Sequence, residues 1–266
     1  MGQGISRKGH LRPDERVPVS RVLPTERGGS LARWFWVPEW DLPEGAAHEA
    51  LTLPFPACQL VVERDGVTVH GPVTRAWRRE LTGRGWAVGA LLTPGAAHAL
   101  VGDVALLQDR TTPAKGAEHL HDEVTAVMGS GREMEVRHEA AARLLEGWLV
   151  ERAGPAVAED PEADAARRLV ELADGDPELL RVDDLARRLA MSVRAVTRLA
   201  RTHVGMGPGA MIRRRRLQEA AARVRDEPSV DLASIAAELG YADHAHLTRE
   251  FRRVLGFTPT GYRVEG

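Results

Sequence analysis

The feature that most constrains this chain is an internal repeat in its last third. The first copy contains Ala186, Leu189, Met191, Thr197, Arg198, Gly205 and Pro208, and the second contains Ala236, Leu239, Tyr241, Thr248, Arg249, Gly256 and Pro259. The offset is 50 residues at the start and 51 after the turn, so one residue has been added between the two helices of the second copy. Each copy predicts a helix, a short turn, a second helix, a glycine stop and a proline start. A tandem pair of helix-turn-helix units of this kind indicates DNA binding.

Charge is distributed unevenly along the 266 residues, although the formal net charge is only −2. From residue 177 to residue 266 there are 16 arginines and 11 acidic residues, a net charge of +5, whereas the remainder of the chain carries −7. This asymmetry favours an anion-binding C-terminal part that is joined to a part with a different task.

Cysteine content and hydropathy exclude several classes of protein. Cys58 is the only cysteine, so an intrachain disulfide and a zinc site built from several cysteines are excluded. The first 20 residues are polar and lack the apolar core of a secretory signal. The sequence contains no run of about 18 apolar residues, so no membrane span is predicted. We therefore expect a cytoplasmic protein with no membrane partner.

Changes in composition and periodicity divide the chain into four segments. We expect a flexible arm over residues 1–20, a β-rich domain ending in a helix over 21–152, a linker over 153–162 and a helical DNA-binding domain over 163–266. Short apolar runs separated by Gly and Pro predict a small β-barrel or sandwich in the β-rich domain. The predicted fold class is therefore α+β in two domains, with an all-α tandem helix-turn-helix domain at the C-terminal end.

Local patterns predict several elements of the β-rich domain. The turn Arg64-Asp65-Gly66 lies between apolar runs at 58–63 and 67–70, which predicts a β-hairpin, and the run 86–92 before Pro94-Gly95 predicts a further strand. Between residues 133 and 152, apolar side chains recur on one face of a helix. That face predicts either a dimer interface or packing on the domain's own barrel, and we favour the dimer interface.

Each repeat presents polar side chains on the surface of its second helix. Ser192 and Asp243 have side chains that favour the N-caps of these helices. The candidate DNA-binding residues are Arg194, Thr197, Arg198 and Arg201 in the first repeat, and His244, Ala245, Thr248, Arg249 and Arg252 in the second. The guanidinium fork of arginine matches O6 and N7 of guanine, and threonine can contact a base or its methyl group. The run Arg213–Arg216 predicts either solvated side chains or one or two phosphate contacts, with at least one arginine turned towards the protein.

Residues 163–263 resemble the DNA-binding domain of the AraC/XylS family of transcriptional regulators. The matching positions are Leu185-Ala186, Met191-Ser192, Arg198-Leu199, Gly205, Pro208, Arg216-Leu217, Ala220, Ile235-Ala236, Leu239-Gly240-Tyr241, Asp243, Leu247, Arg249, Phe251-Arg252-Arg253, Gly256-Phe257-Thr258-Pro259 and Tyr262-Arg263. The resemblance implies seven helices, a long helix at about 208–226 that joins two helix-turn-helix units, and contacts in adjacent major grooves on one face of DNA. It also implies that bases are read by Arg194, Thr197 and Arg198, then by His244, Ala245, Thr248 and Arg249. Ala245 departs from the family, which commonly has a polar residue there, so we expect weaker base readout by the second helix.

The same resemblance implies an N-terminal sensor or dimerisation domain, which is often cupin-like in this family. The aromatic-rich segment Trp34-Phe35-Trp36 fits such a domain. It predicts either an apolar pocket lined by tryptophan or ordinary core packing of the same rings. We expect no cofactor and no bound metal, and the sequence does not identify an effector.

Three weaker patterns offer other chemistry. His119 and His121 could be metal ligands in a strand or a loop, but residues two apart on a helix do not share a face. Cys58 is either a reactive thiol or a small buried apolar residue, and it has no basic neighbour in the sequence to lower its pKa. The pair Gly83-x-Gly85 begins a phosphate-binding type of pattern, yet Val88 occupies the third glycine position, so we predict a turn.

These observations predict a non-enzymatic, sequence-specific transcriptional regulator whose N-terminal domain modulates DNA binding. Double-stranded DNA is the expected partner, and RNA polymerase, a small-molecule effector, a protein partner and a second copy of the chain are further candidates. One alternative is an N-terminal enzyme or metal-binding domain fused to a DNA-binding anchor. Another is an N-terminal protein-interaction module without a small-molecule site.

Overall fold

The computed structural model describes residues 16–52, 55–227 and 229–265. The strands of the N-terminal part are β1 (Val19–Val22), β2 (Ala32–Asp41), β3 (Ala47–Thr52), β4 (Gln59–Glu63), β5 (Gly66–His70), β6 (Trp77–Thr82), β7 (Arg84–Trp86), β8 (Val88–Leu92) and β9 (Thr111–Pro113). The main antiparallel sheet has the order β1-β2-β8-β4-β5-β9, with β7 paired to β2. Strands β3 and β6 form a separate antiparallel ribbon.

The main sheet is open, because β1 and β9 lie at its two ends and do not pair with each other within the described ranges. The predicted barrel is therefore not closed. Helices α2 (Glu118–Met128) and α3 (Met134–Arg152) cover the sheet, and their buried side chains share one core with Phe35, Leu60 and Leu92. The predicted α+β class, with a β-rich N-terminal part and an all-α C-terminal part, is confirmed.

The local predictions for the β-rich part are confirmed where the sequence contains a clear turn signal. Strands β4 and β5 form the expected hairpin, in which Gln59 pairs with His70 and Glu63 pairs with Gly66. The run 86–92 forms the end of β7 and all of β8. Gly83 has a φ of +55° in the turn between β6 and β7, as predicted for the Gly83-x-Gly85 pair.

Pro94-Gly95 begins a helix as well as ending a strand, which the sequence pattern did not predict. Helix α1 (Pro94–Val101) starts there because the Thr93 hydroxyl caps it, accepting a hydrogen bond from the backbone N–H of Ala96 at 3.3 Å. Proline is compatible with this position because the first helical turn leaves its backbone donors unpaired. A 3-10 helix follows at Val104–Leu107.

Helix α3 confirms the predicted helix at 133–152 but corrects its role. Ala141, Leu145 and Leu149 on its apolar face are fully buried in the core that contains the sheet. Most of that face is therefore occupied by the domain's own strands, which corrects the dimer interface that we favoured, and only its first residue, Val136, is exposed. The structure adopts the alternative, in which α3 packs on its own domain, because this packing buries the apolar side chains of the sheet.

Two of the predicted segments, the N-terminal arm and the linker, contain regular secondary structure. Residues 1–15 of the predicted arm lie outside the described residues, but Val19 and Ser20 already belong to β1 and pair with Pro38 and Val37 of β2. The predicted linker contains helix α4 (Gly154–Glu159), which packs on α1 and α3. These residues form a helix because Pro155 in its first turn is followed by residues with good helix propensity.

The C-terminal part consists of α5 (Ala163–Gly175), α6 (Val182–Arg188), α7 (Val193–Val204), α8 (Pro208–Asp226), α9 (Leu232–Glu238), α10 (His244–Leu255) and α11 (Pro259–Glu265). Helix α8 joins the two repeats because Met211 and Ile212 enter the core of the first unit, whereas Leu217 and Val224 enter the core of the second. Within the described ranges, every helix is too short or too polar to cross a membrane.

The N-terminal part contacts the C-terminal end of α7. Gly205 ends this helix in a left-handed conformation with a φ of +72°, and a Cβ atom at this position would lie 2.8 Å from both Pro72 Cγ and the carbonyl oxygen of Val104. A salt bridge of 2.8 Å between Arg33 in β2 and Asp174 in α5 lies at the same junction. We call this contact region between the N-terminal part and the helix-turn-helix part the seam.

The seam also includes the C-terminal end of α10. The backbone N–H of Ala76 donates a hydrogen bond of 2.7 Å to the carbonyl of Val254, and the Arg78 guanidinium donates one of 3.1 Å to the carbonyl of Leu255. The N-terminal part therefore binds the trailing ends of α7 and α10 alike.

We predict that Gly205→Ala destabilises the protein more than Gly256→Ala. Both glycines end a second helix at positive φ, so alanine costs about 1–2 kcal/mol of backbone strain at either position. At Gly205 the methyl group also meets Pro72 and a backbone carbonyl, an overpacking that costs about 1–3 kcal/mol more.

At Gly256 the nearest atom is Nη2 of Arg78, at 2.9 Å, which is the far end of a flexible side chain and can move. Urea denaturation followed by circular dichroism measures both variants against the original chain. Equal losses of unfolding free energy would show that the tight contact between Gly205 and Val104 does not constrain the seam.

Candidate nucleic-acid interface

Helix α7 is built as the first repeat predicts. The Ser192 hydroxyl accepts a hydrogen bond of 3.1 Å from the backbone N–H of Ala195, and Gly205 ends the helix. Val196 and Leu199 are fully buried, which fixes the rotation of the helix about its axis. The remaining face is therefore presented to solvent.

The predicted side chains of α7 lie on this outer face. The hydroxyl of Thr197 donates a hydrogen bond of 2.7 Å to the carbonyl of Val193, so it is engaged within the helix. The exposed predicted residues are Arg194, Arg198 and Arg201, and Thr197 is half-buried.

Arg198 makes a two-pronged ion pair with Glu162, a residue of the predicted linker. Its Nη1 and Nη2 atoms lie 3.1 Å from Oε2 and 2.5 Å from Oε1 of the carboxylate. The hydrogen bond from Arg198 lowers the pKa of Glu162, and the same bond raises the pKa of Arg198. Because the Arg198 side chain is still 60% exposed, the guanidinium is neutralised but not enclosed.

Helix α10 repeats the construction of α7. The Asp243 carboxylate accepts a hydrogen bond of 2.6 Å from the backbone N–H of His246, and Gly256 ends the helix with a φ of +88°. Leu247 and Phe251 are fully buried. The predicted residues on its surface are His244, Arg249 and Arg252, which are exposed, and Ala245 and Thr248, which are half-buried.

The arginine run of α8 is divided between solvent and protein. Arg215 is buried and donates a hydrogen bond of 2.8 Å to the carbonyl of Leu179, whereas the Arg216 guanidinium lies 4.2 Å from the centre of the Tyr241 ring. Arg214 is buried as well, and Arg213 is the exposed member of the run. The prediction that at least one arginine turns towards protein is confirmed. Arg213 is the exposed member, and its Nε atom lies 3.9 Å from the Glu250 carboxylate.

A cavity of about 440 Å³ lies at the seam between the two parts of the chain. Val73 and Gln108 line it from the N-terminal part, and the C-terminal part contributes Arg201, Arg213, Arg214, Arg253 and Glu250. Burial lowers the pKa of Arg214 to about 9, and its Nε and Nη2 atoms have no hydrogen-bond partner within the described ranges. With four arginines and one glutamate, the lining favours an anion.

His119 and His121 are not brought together as ligands. Both lie in α2, where His119 faces Glu123 at 3.5 Å, whereas Nε2 of His121 lies 3.0 Å from the carbonyl oxygen of Glu63. Because a helix turns about 200° between residues two apart, these side chains diverge. The metal-binding alternative therefore has no support from this pair.

The tryptophan rings of β2 pack against other protein groups. The guanidinium of Arg21 lies 4.4 Å from the centre of the Trp34 ring, and Trp36 occupies the space above Gly89, where a Cβ atom would come within 2.1 Å of the ring. Of the two interpretations of these rings, the contacts favour ordinary packing over a ligand pocket.

Cys58 is fully buried beside the sheet. Burial raises the pKa of its thiol to about 12, because the apolar surroundings disfavour the thiolate. The structure therefore favours the interpretation of Cys58 as a small buried apolar residue.

Two capped helices with exposed arginines at equivalent positions define a tandem helix-turn-helix protein. A family model described as a helix-turn-helix domain matches residues 185–265, and a model described as a domain of unknown function, DUF6597, matches residues 20–113. Together with the relatives below, these matches confirm the predicted resemblance. The C-terminal part of this chain is an AraC-type helix-turn-helix domain, and it is joined to a DUF6597 domain.

The chain is similar to several known proteins. A protein of Streptomyces lividans named as an AraC-like transcription regulator is 33% identical over 147 residues, which are 55% of this chain and 44% of that protein. An HTH-type transcriptional regulator of Mycobacterium tuberculosis is 39% identical over 83 residues, 31% of this chain and 32% of that protein. The chain thus spans less than half the length of these curated relatives. A crystal structure of an apo ToxT variant from Vibrio cholerae shares 13% identity at a TM-score of 0.46, covering 86% of this chain and 97% of that chain.

We predict that the Cys58 thiol does not react with a disulfide reagent at pH 8 while the protein is folded. The thiolate is the reactive form, and burial both disfavours it and blocks access to it. The same protein in urea should release one equivalent of chromophore, since Cys58 is the only cysteine. Complete labelling of the folded protein within minutes would contradict the buried position of Cys58.

Proposed function

We propose that this protein is a sequence-specific DNA-binding transcriptional regulator whose N-terminal domain modulates binding. The observation that carries the proposal is the matched pair of capped helices, α7 and α10, each with its apolar face buried and its polar face exposed. Relatives of this chain are named as transcription regulators. A non-enzymatic, cytoplasmic role accords with this proposal.

In the proposed complex, α7 and α10 enter successive major grooves of one duplex. The base readers are Arg194, Thr197 and Arg198 in the first groove, and His244, Ala245, Thr248 and Arg249 in the second. Arginine pairs with guanine and threonine contacts a base or its methyl group. Arg201, Arg252 and Arg213 add positive charge next to the phosphates, which supplies salt-dependent affinity.

The N-terminal domain would act through the seam. It binds the C-terminal ends of both reading helices, whereas base contacts are made by the N-terminal residues of such helices. A ligand in the seam cavity would touch both parts of the chain, so it would change the placement of α7 and α10 if it bound one arrangement of the two parts more tightly than another. RNA polymerase, a protein partner and a second copy of the chain are further proposed partners.

We predict that Arg198→Ala and Arg249→Ala each weaken binding to the cognate site by about 5- to 150-fold and relax specificity at one position. The site is first selected from a random DNA library, and dissociation constants are then measured by fluorescence anisotropy on selected and scrambled duplexes. Each variant loses an arginine fork that matches guanine, so the loss should be greater on the selected duplex.

Arg64→Ala is the matched control, because Arg64 is an exposed arginine of the β-rich domain. It removes the same charge far along the chain from α7 and α10, and its affinity should stay near that of the original protein. If Arg198→Ala and Arg249→Ala bind both duplexes as the control does, the assignment of α7 and α10 as reading helices is wrong.

We predict that Glu162→Gln strengthens DNA binding by about two- to fivefold, the range expected for an exposed ion pair. The substitution removes the carboxylate that competes with DNA for the Arg198 guanidinium. Glu159→Gln is the control, since it removes an equal charge from an exposed position three residues away. Weaker binding by Glu162→Gln would instead mean that Glu162 orients Arg198 for DNA.

A further inference from the structure

We propose that His98, Asp160 and His203 form a binding site for a divalent transition metal of the zinc class at the seam. One ring nitrogen of each histidine and one carboxylate oxygen of Asp160 lie within 4.8 Å of one another. His98 belongs to α1 of the N-terminal part, Asp160 lies between α4 and α5, and His203 belongs to the last turn of α7. The site stands independently of the proposed function, because it rests on ligand geometry alone.

His98 is held in the tautomer that a metal requires. Its Nδ1 atom lies 2.7 Å from the backbone carbonyl oxygen of Gly102. A carbonyl can only accept a hydrogen bond, so Nδ1 carries the proton and the neutral ring has its lone pair on Nε2. Metal-binding histidines almost always donate their other N–H to a carbonyl or a carboxylate in this way.

Asp160 is an anchored carboxylate. Its Oδ1 atom accepts a hydrogen bond of 2.8 Å from the backbone N–H of Glu162, and its Oδ2 atom lies 2.9 Å from Nε2 of His203. The carboxylate is therefore held in a fixed position as an oxygen ligand.

His203 is a buried polar side chain whose hydrogen bonding is incomplete. Only 2% of it is exposed, and its Nδ1 atom has no hydrogen-bond partner within the described residues. The His98 and His203 rings lie 4.4 Å apart, centre to centre. A bound cation would replace the proton that Nε2 of His203 donates to Asp160, and the neutral ring would then carry its proton on Nδ1, the atom that has no partner.

The donor set selects the chemical class of the ion. Two imidazoles and one carboxylate suit zinc, cobalt or ferrous iron better than calcium or magnesium, which prefer oxygen ligands. Bonds of about 2.0–2.1 Å in a tetrahedral site separate neighbouring ligand atoms by about 3.3 Å. The existing separation of 2.9 Å between His203 and Asp160 is close to this value, and the ligand atoms of all three side chains lie within 4.8 Å of one another. Three protein ligands leave a fourth position for water.

Metal binding is tested with the untagged 266-residue chain, titrated with Zn²⁺ by calorimetry and with Co²⁺ by visible absorption. We expect one metal ion per chain and a thermal midpoint that rises with metal concentration, as linkage requires. His98→Gln and Asp160→Asn remove one ligand each at nearly unchanged volume, and each should weaken binding by at least about tenfold. Both residues are partly exposed, so these variants spare the buried His203.

His119→Gln is the matched control, because His119 is 86% exposed and lies outside the cluster. It should bind metal as the original chain does. Unchanged affinity in both ligand variants, loss of binding in the control, or no stoichiometric binding by the original chain would each overturn the proposal. X-ray absorption at the zinc edge of the original protein needs no variant. It should show nitrogen and oxygen ligands with two imidazoles, and a sulfur ligand would overturn the site.

Discussion

The contact between the N-terminal part and the trailing ends of α7 and α10 is the constraint on which the rest of the structure depends. At α7 the contact requires a glycine, because Gly205 has positive φ and lies against the carbonyl of Val104. At α10 it consists of hydrogen bonds from the backbone of Ala76 to Val254 and from the Arg78 guanidinium to Leu255. The N-terminal part therefore holds the two helices by their C-terminal ends and leaves Arg194 and His244, near their N-terminal ends, exposed.

Electrostatics within the C-terminal part sort its arginines into different tasks. Arg214 and Arg215 are buried at the centre of α8, and Arg198 is neutralised by Glu162. The net charge of +5 from residue 177 to residue 266 is therefore larger than the positive charge that the surface would present to DNA. Arg194 and Arg249 remain exposed. Because burial of an arginine is costly without partners, Arg214, which lines the seam cavity, marks the seam as a place where a bound anion would be stabilising.

Local chemistry explains which elements could be predicted from the sequence. The caps Ser192 and Asp243 and the stops Gly205 and Gly256 act over one helical turn, so the four helices of the repeats were predicted closely. Helix α1 was not predicted because Pro94-Gly95 both ends a strand and starts a helix. Its N-cap, Thr93, is a residue that also commonly ends a strand, so it gave no distinct signal. The open sheet and the packing of α3 depend on which apolar surfaces meet, and periodicity does not state that.

By itself the sequence determined the repeated helix-turn-helix units, the outward arginines and the α+β class, because each follows from short-range periodicity and capping. Only the tertiary structure decided that Glu162 pairs with Arg198, that α3 covers its own sheet, and that His98, Asp160 and His203 converge. These groups are separated by tens of residues along the chain, and their proximity arises from packing between elements. A sequence pattern records the spacing within an element, whereas such contacts depend on how the elements are placed against one another.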